Sequence, residues 1–212
     1  MSRLTLLVGI LGAIALFVNR WFTPELLPSQ TRSDAVGIIL SALAILLGLL
    51  WQKVQPKPPE AVQLLAEDGF FLAEGLPPPV STELAWASHA LLTNTVTQVV
   101  CIYYRGRTLL QRGKLPPNWR KGEMTLGAIA LRCLQTQKPV YLVNLSLYPG
   151  KIEFTYLPSN TQGVILQPIA DQGLLIVGAN IPRSYTKQDE QWIGAIADKL
   201  AYTLENFLQP ID

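Results

Sequence analysis

The sequence predicts an α+β protein in which an N-terminal two-helix transmembrane hairpin precedes one soluble domain, built on a mostly antiparallel sheet covered by helices. Three observations predict it. Two apolar runs, residues 4–22 and 35–51, have no charge in their interiors and flank a short polar loop. As helices of this length they rise roughly 26 to 28 Å, close to the hydrocarbon thickness of a bilayer. Beyond them, the order of elements is helix, two strands, helix, two strands, hairpin and long helix, which is that of an α+β domain. Finally, about 150 of the 212 residues are left for the soluble part, enough for one ordinary domain with its own core. The expected organisation is a hairpin at 1–52, a proline-rich linker at 53–60 and a domain at 61–212.

The first run could be read as a secretory signal, with Ala13-Ile14-Ala15 as a cleavage site. It continues through Leu16, Phe17 and Val18, which a cleaved signal does not need, so the expectation is retention as a span. Gly9 and Ala13 in the first span, and Gly37 and Ser41 in the second, are small residues four apart that let helix backbones approach. Packing of the two spans on each other is the simplest use of them, and a partner's transmembrane helix is the functional alternative. Ser33 and Asp34 are expected to cap the second span, with Trp21 and Trp51 at the membrane interfaces. Two spans put both termini on one side. Arg3, Lys53 and Lys57 flank the outer ends against Arg20 and Arg32 in the loop, a slight bias toward the cytoplasmic side. The linker QKVQPKPPE favours extended polyproline II and so acts as a semi-rigid spacer.

In the soluble part, residues 61–79 read as a short helix and then strand or loop, with turns at Asp68-Gly69 and Pro77-Pro78-Pro79. A helix is expected at 81–94, with Leu84, Ala87 and Leu91 on one face. The β-branched and aromatic stretch 96–104 reads as a strand that turns at Arg105-Gly106-Arg107 into a second, 108–111. A helix is predicted at 123–135, then strands at 140–145 and 152–157 joined by the turn Tyr148-Pro149-Gly150. Strands at 163–169 and 174–179 meet at Asp171-Gln172-Gly173 as an antiparallel hairpin. Thr186 and Asp189 have capping-box spacing, and Trp192, Ile196, Leu200, Leu204 and Leu208 follow at intervals of four along one long helix.

Cysteine, histidine and charge restrict the chemistry. Cys101 and Cys133 match no zinc, disulfide-scaffold or C-x-x-C pattern; two buried free thiols are the simplest reading and fit a reducing compartment. His89 is the only histidine, which rules out a two-histidine haem or zinc site within one chain. One imidazole can still ligate a haem in transit. No catalytic residues and no metal site are expected: there are no clustered carboxylates at ligand spacing and no phosphate loop. A net charge of +2 is too small to argue for nucleic acid. No acidic residue lies between Glu83 and Glu123, however, while Arg105, Arg107, Arg112, Lys114, Arg120 and Lys121 all do. A solvated face balanced by the acidic C-terminal helix is one reading. Contact with anionic lipid headgroups, a partner's carboxylates or haem propionates is the other.

The domain resembles the GAF fold, above all through residues 163–207, where the strand pair, the 182–185 loop and the capped Asp189 helix match that family's ending. Neither cysteine adjoins His89, so the Cys-His pair of bilin-attaching members is missing. A wider resemblance rests on Arg32-Ser33-Asp34 and Leu49-Leu50-Trp51-Gln52 in the second span, then Asp68-Gly69-Phe70 and Glu74-Gly75-Leu76-Pro77. Through these the chain is similar to the proteins of cyanobacteria and chloroplasts named for cofactor assembly of complex C at its B subunit.

That resemblance implies a membrane-anchored assembly factor that assists covalent attachment of the extra c-type haem to the cytochrome b subunit of the cytochrome b6f complex. It implies a non-catalytic scaffold or a haem-presenting partner, with haem bound at most transiently and no permanent cofactor. The implied partners are the cytochrome b subunit, a paralogous assembly factor in a hetero- or homodimer, and the membrane. The implied location is the thylakoid, with the soluble domain and both termini on the cytoplasmic side. A chloroplast member would begin with a transit peptide, whereas this chain starts close to its first span, which points to a bacterial source. The rival reading is a membrane-tethered GAF-type ligand-binding or sensory module; a direct haem lyase has only one histidine and two unplaced cysteines in its favour.

Overall fold

A computed structural model of the chain describes residues 2–23, 25, 27–54 and 59–208, with backbone alone at 2, 3 and 52–54. It divides into two compact units, Met1–Pro58 and Pro59–Asp212. Of the linker expected at 53–60, residues 55–58 lie outside the described residues, Lys57 among them.

The first unit is a pair of helices, α1 (Ser2–Phe22) and α2 (Pro28–Val54). Their segments Leu4–Phe22 and Pro28–Trp51 are long and apolar enough to cross a membrane. The helix of the second span begins seven residues before its apolar run, so Ser33 and Asp34 lie inside it and do not cap it. Ser33 Oγ instead donates to Ser29 O at 3.2 Å. The start is made by Pro28, which has no N–H to satisfy, and by Leu27 N donating to Gln30 Oε1 at 3.1 Å. Apolarity marks the lipid-facing length of a helix, whereas helix geometry continues into polar residues that cap it. The helices touch through glycine. A Cβ at Gly9 would stand 2.8 Å from Ile45 Cγ1, one at Gly37 2.9 Å from Leu16 Cδ1, and one at Gly48 3.1 Å from the Leu6 backbone nitrogen.

The second unit contains β1 (Glu67–Leu72), α3 (Pro78–Asn94), β2 (Thr97–Tyr104), β3 (Arg107–Leu115), α4 (Ala128–Thr136), β4 (Val140–Leu142), β5 (Gly163–Ile169), β6 (Gly173–Ala179) and α5 (Lys187–Phe207). The strands form one sheet in the order β1-β3-β2-β6-β5-β4, and every neighbouring pair is antiparallel. The β2–β3 hairpin closes through Arg105 and Gly106, with φ of 47° and 81°. Positive φ at both central residues is what a two-residue I′ turn requires.

Both faces of the central strands are covered, which explains why β6 is apolar without alternation and buried throughout. On one face α3 and α5 pack Leu84, Leu91, Ile196, Leu200 and Leu204 against Val100, Ile102, Leu175 and Val177. On the other, α4 and the long segment before β5 bring Cys133, Leu145, Phe154 and Tyr156 against Val99, Cys101, Leu166, Leu174 and Ile176. The capping box of α5 forms as its spacing predicts: Asp189 N donates to Thr186 Oγ1 at 3.2 Å, and Thr186 N to Asp189 Oδ2 at 2.8 Å.

The structure corrects four expectations. Residues 61–79 hold no short helix but an edge strand, β1, in register with β3 from Glu67–Leu115 to Leu72–Leu110. That pairing also lengthens β3 past 108–111 to Leu115, through Arg112, Gly113 and Lys114, whose own strand preference is low. The helix expected at 123–135 begins only at Ala128. Buried Gln111 holds the preceding loop, accepting from Gly122 N at 3.0 Å and donating to Glu123 O at 3.3 Å. Residues 152–157 are not a strand: Lys151–Glu153 is a 3-10 turn, as is Leu145–Leu147. Phe154, Tyr156 and Leu157 are buried as irregular chain over the second core, because β4 already occupies the edge of β5. On α5 the buried face runs through Ile193, Ile196, Ala197, Leu200, Thr203 and Leu204, and Trp192 is 41% exposed beside it.

Candidate functional site

The structure disperses the basic residues. Arg105 sits in the β2–β3 turn, its guanidinium 5.1 Å from the Tyr104 ring centroid, and Nη1 donates to Leu208 O at 2.9 Å. Arg107 donates to Glu74 O at 3.1 Å. Arg112 reaches α3, where Nη1 donates to Ala85 O and to Ser88 Oγ, both at 3.2 Å, while its guanidinium lies 5.5 Å from the Phe70 ring. Lys114 pairs with Asp68 on β1 at 2.8 Å. Arg120 stands 3.7 Å from Glu123, both exposed, and Lys121 is exposed in the same loop. An interval without an acid therefore finds its counter-charges and acceptors outside the interval, at Asp68, Glu74 O and Leu208 O, or at its edge, at Glu123. Arg107, Arg120 and Lys121 remain the exposed cations of the six. Arg107 also lines a cleft of about 450 Å³ with Phe71, Glu74, Thr108 and Met124.

His89 lies on the outward, exposed face of α3, opposite Leu84, Ala87 and Leu91, and is not brought together with any of the six cations by a hydrogen bond among the described residues. Both cysteines are free and buried. Burial pushes the Cys101 thiol up to about 12 and Cys133 up to about 11, where Cys133 also donates to Lys138 O at 3.1 Å. Thiols held protonated in this way are poor nucleophiles and poor metal ligands at neutral pH. Among the described residues no group of three His, Cys, Asp or Glu side chains could hold a metal ion.

In the hairpin, Gly9, Gly37 and Ser41 lie at the helix–helix contact, where Gly12 and Gly48 join them. Ala13 faces outward and lines a groove of about 590 Å³ with Leu16, Phe17, Ile38 and Ile45, ending at Arg20 and Asp34. Gly12 and Gly48 fall outside the four-apart spacing within either helix, so only the antiparallel pairing of the two helices reveals their use.

The class defined by this fold is an antiparallel α+β domain carried behind an apolar helical hairpin, with exposed cations and apolar grooves as its accessible chemistry. The family model described as CCB2/CCB4, for cofactor assembly of complex C at its B subunit, matches residues 4–200. The chain belongs to that family. It is 32% identical over 222 residues, covering 99% of this chain and 75% of the relative, to the chloroplastic cofactor assembly protein CCB4 of Arabidopsis thaliana. It is 28% identical over 191 residues, covering 81% of this chain and 67% of the relative, to the CCB2 protein of the same plant. Among solved structures, it is similar to a type II free methionine-R-sulfoxide reductase from Thermoplasma acidophilum, at 18% identity and a TM-score of 0.48 over 60% of this chain and 94% of that one. It is also similar to the GAF domain of an Acinetobacter phosphoenolpyruvate-protein phosphotransferase, at 18% identity and a TM-score of 0.47 over 63% of this chain and 96% of that one.

Proposed function

We propose that this chain is a membrane-anchored assembly factor that assists covalent attachment of the extra c-type haem to the cytochrome b subunit of the cytochrome b6f complex, as a scaffold or haem-presenting partner. The observation that carries the reading is the family match across both units, from residue 4 in α1 to residue 200 in α5. A factor that needed only its soluble domain would not match through the hairpin as well. In this reading the hairpin packs beside the apo-cytochrome in the thylakoid, and both termini and the domain lie on the cytoplasmic side. A paralogue completes a hetero- or homodimer.

The accessible chemistry supports presentation rather than bond-making. Exposed His89 offers one imidazole to a haem in transit, and exposed Arg107, Arg120 and Lys121 offer charge-assisted hydrogen bonds to propionates or to a partner's carboxylates. Both thiols are buried and held protonated. The test is a strain lacking the gene: cytochrome b should then carry no covalently bound haem on a denaturing gel stained for peroxidase activity. Normal staining overturns the proposal. In the complemented strain, reversing Arg107, Arg120 and Lys121 to Glu should reduce the stain while leaving the chain folded.

A further inference from the structure

The turn between the two 3-10 segments is closed by Lys151 N donating to Tyr148 O at 3.1 Å, and Glu153 N donates to Gly150 O at 3.0 Å. The residues flanking it, Leu147 and Ile152, are 79% and 78% exposed, the highest values among the exposed large hydrophobics of residues 59–208. A floppy loop does not explain this. Leu145, Phe154 and Tyr156 on either side are buried, the Tyr148 ring packs edge-on against Phe154 at 6.4 Å, and Asn144 Oδ1 accepts from Ser146 N at 3.1 Å. The tips are thus held out by an anchored base, at a cost in exposed apolar surface that folding alone does not explain.

The charge around them has one sign. Lys151 is exposed in the turn, and exposed Arg183 is tied to the same segment by its backbone N–H, which donates to Val143 O at 2.8 Å. The one carboxylate of the turn, Glu153, is directed away: its Oε2 accepts from Ile129 N at 3.3 Å, serving as the cap that Gly127 cannot provide for α4. Aliphatic tips flanked by cations with the acid withdrawn form the pattern of shallow insertion at a lipid interface, where apolar side chains enter the acyl boundary and cations stay at headgroup level. A protein partner would call for a broader contiguous apolar patch. The chain supplies the bilayer itself, since only residues 55–58 separate α2 from the first described residue of the domain, so the membrane is present at high effective concentration.

The geometry points to the 147–152 turn as a lipid-contacting tip, in which Leu147 and Ile152 insert into the membrane interface and Lys151 and Arg183 meet anionic headgroups. This rests on α1 and α2 being membrane spans and is independent of the assembly role. The test uses the full chain reconstituted into phosphatidylcholine vesicles, with and without phosphatidylglycerol, and recovered by flotation. Leu147→Cys, Ile152→Cys and the control Gln191→Cys, on an exposed part of α5, each carry an environment-sensitive fluorophore. Both native thiols are buried, which favours labelling at the introduced site. Probes at 147 and 152 should be quenched by lipids spin-labelled near the headgroup, and the probe at 191 should not. Adding Lys151→Glu should weaken the contact roughly fivefold or more in anionic vesicles and leave it unchanged in neutral ones. Quenching at 147 and 152 no greater than at 191, in chain that floats, overturns the tip alone. Chain that fails to float overturns the spans and the tip together, and quenching indifferent to Lys151→Glu overturns the role of the cations.

Discussion

Arg112 donates to Ala85 O and to the fully buried Ser88 hydroxyl while covering Phe70, so its charge is spent on joining β3 to α3. Arg112→Ala should therefore destabilise the domain by about 1–3 kcal/mol, because buried acceptors lose a charged donor. Lys114→Ala, which breaks an ion pair whose side chains are 40% and 81% exposed, should cost less than about 1 kcal/mol. Denaturant unfolding followed by tryptophan fluorescence separates the two. The thiols set a pH dependence. Cys101 has its folded value pushed from 9.0 up to about 12, so the unfolded chain ionises first as pH rises. Its contribution to stability is whole below pH 9 and is lost between 9 and 12, and Cys133, pushed up to about 11, acts in the same direction. Alkaline titration by circular dichroism should show stability falling above pH 9, with no reaction of either thiol with a disulfide reagent in the native protein at about pH 8. Which of the six cations would be free was not legible in the sequence, since Asp68, Glu74 and Leu208 lie far from them along the chain.

At the level of elements, α5 depends on its reciprocal cap, and Thr186→Ala should cost about 1 kcal/mol, read as a lowered denaturation midpoint. Such a cap is legible because it is local: Thr186 and Asp189 are three residues apart, and both of its bonds lie within one turn. The cap of α4 is not legible, for its carboxylate comes from Glu153, 24 residues away. The helix pair of the first unit depends on close approach. Gly9→Val would drive a side chain into Ile45, so it should part α1 from α2 and lower the yield of crosslinks between positions 16 and 37 placed as cysteines. Ala13→Val, on the outward face, should leave that yield unchanged. The four-apart spacing identified Gly9 and Gly37 but assigned Ala13 to the same seam, because periodicity marks a helix face without saying which face the partner takes.

At the scale of the molecule, the two units divide at Pro58–Pro59, and the second holds both layers of core around one six-stranded sheet. The fragment 59–212 should accordingly express in soluble form and unfold in a single cooperative transition, with coincident curves by fluorescence and circular dichroism. Non-coincident curves would mean that the two core layers are not one cooperative unit. By itself the sequence determined the apolar helix pair, the β2–β3 and β5–β6 hairpins, the capped C-terminal helix and the family, since each is written in neighbouring residues or in a run of them. Only the tertiary structure decided that residues 67–72 are an edge strand, that 152–157 are not a strand, that the basic interval is scattered among distant partners, and that Leu147 and Ile152 stand in solvent. The physical reason is common to all four: strand pairing, hydrogen-bond partners and burial are set by contacts between residues far apart in the chain, and local pattern carries no record of them.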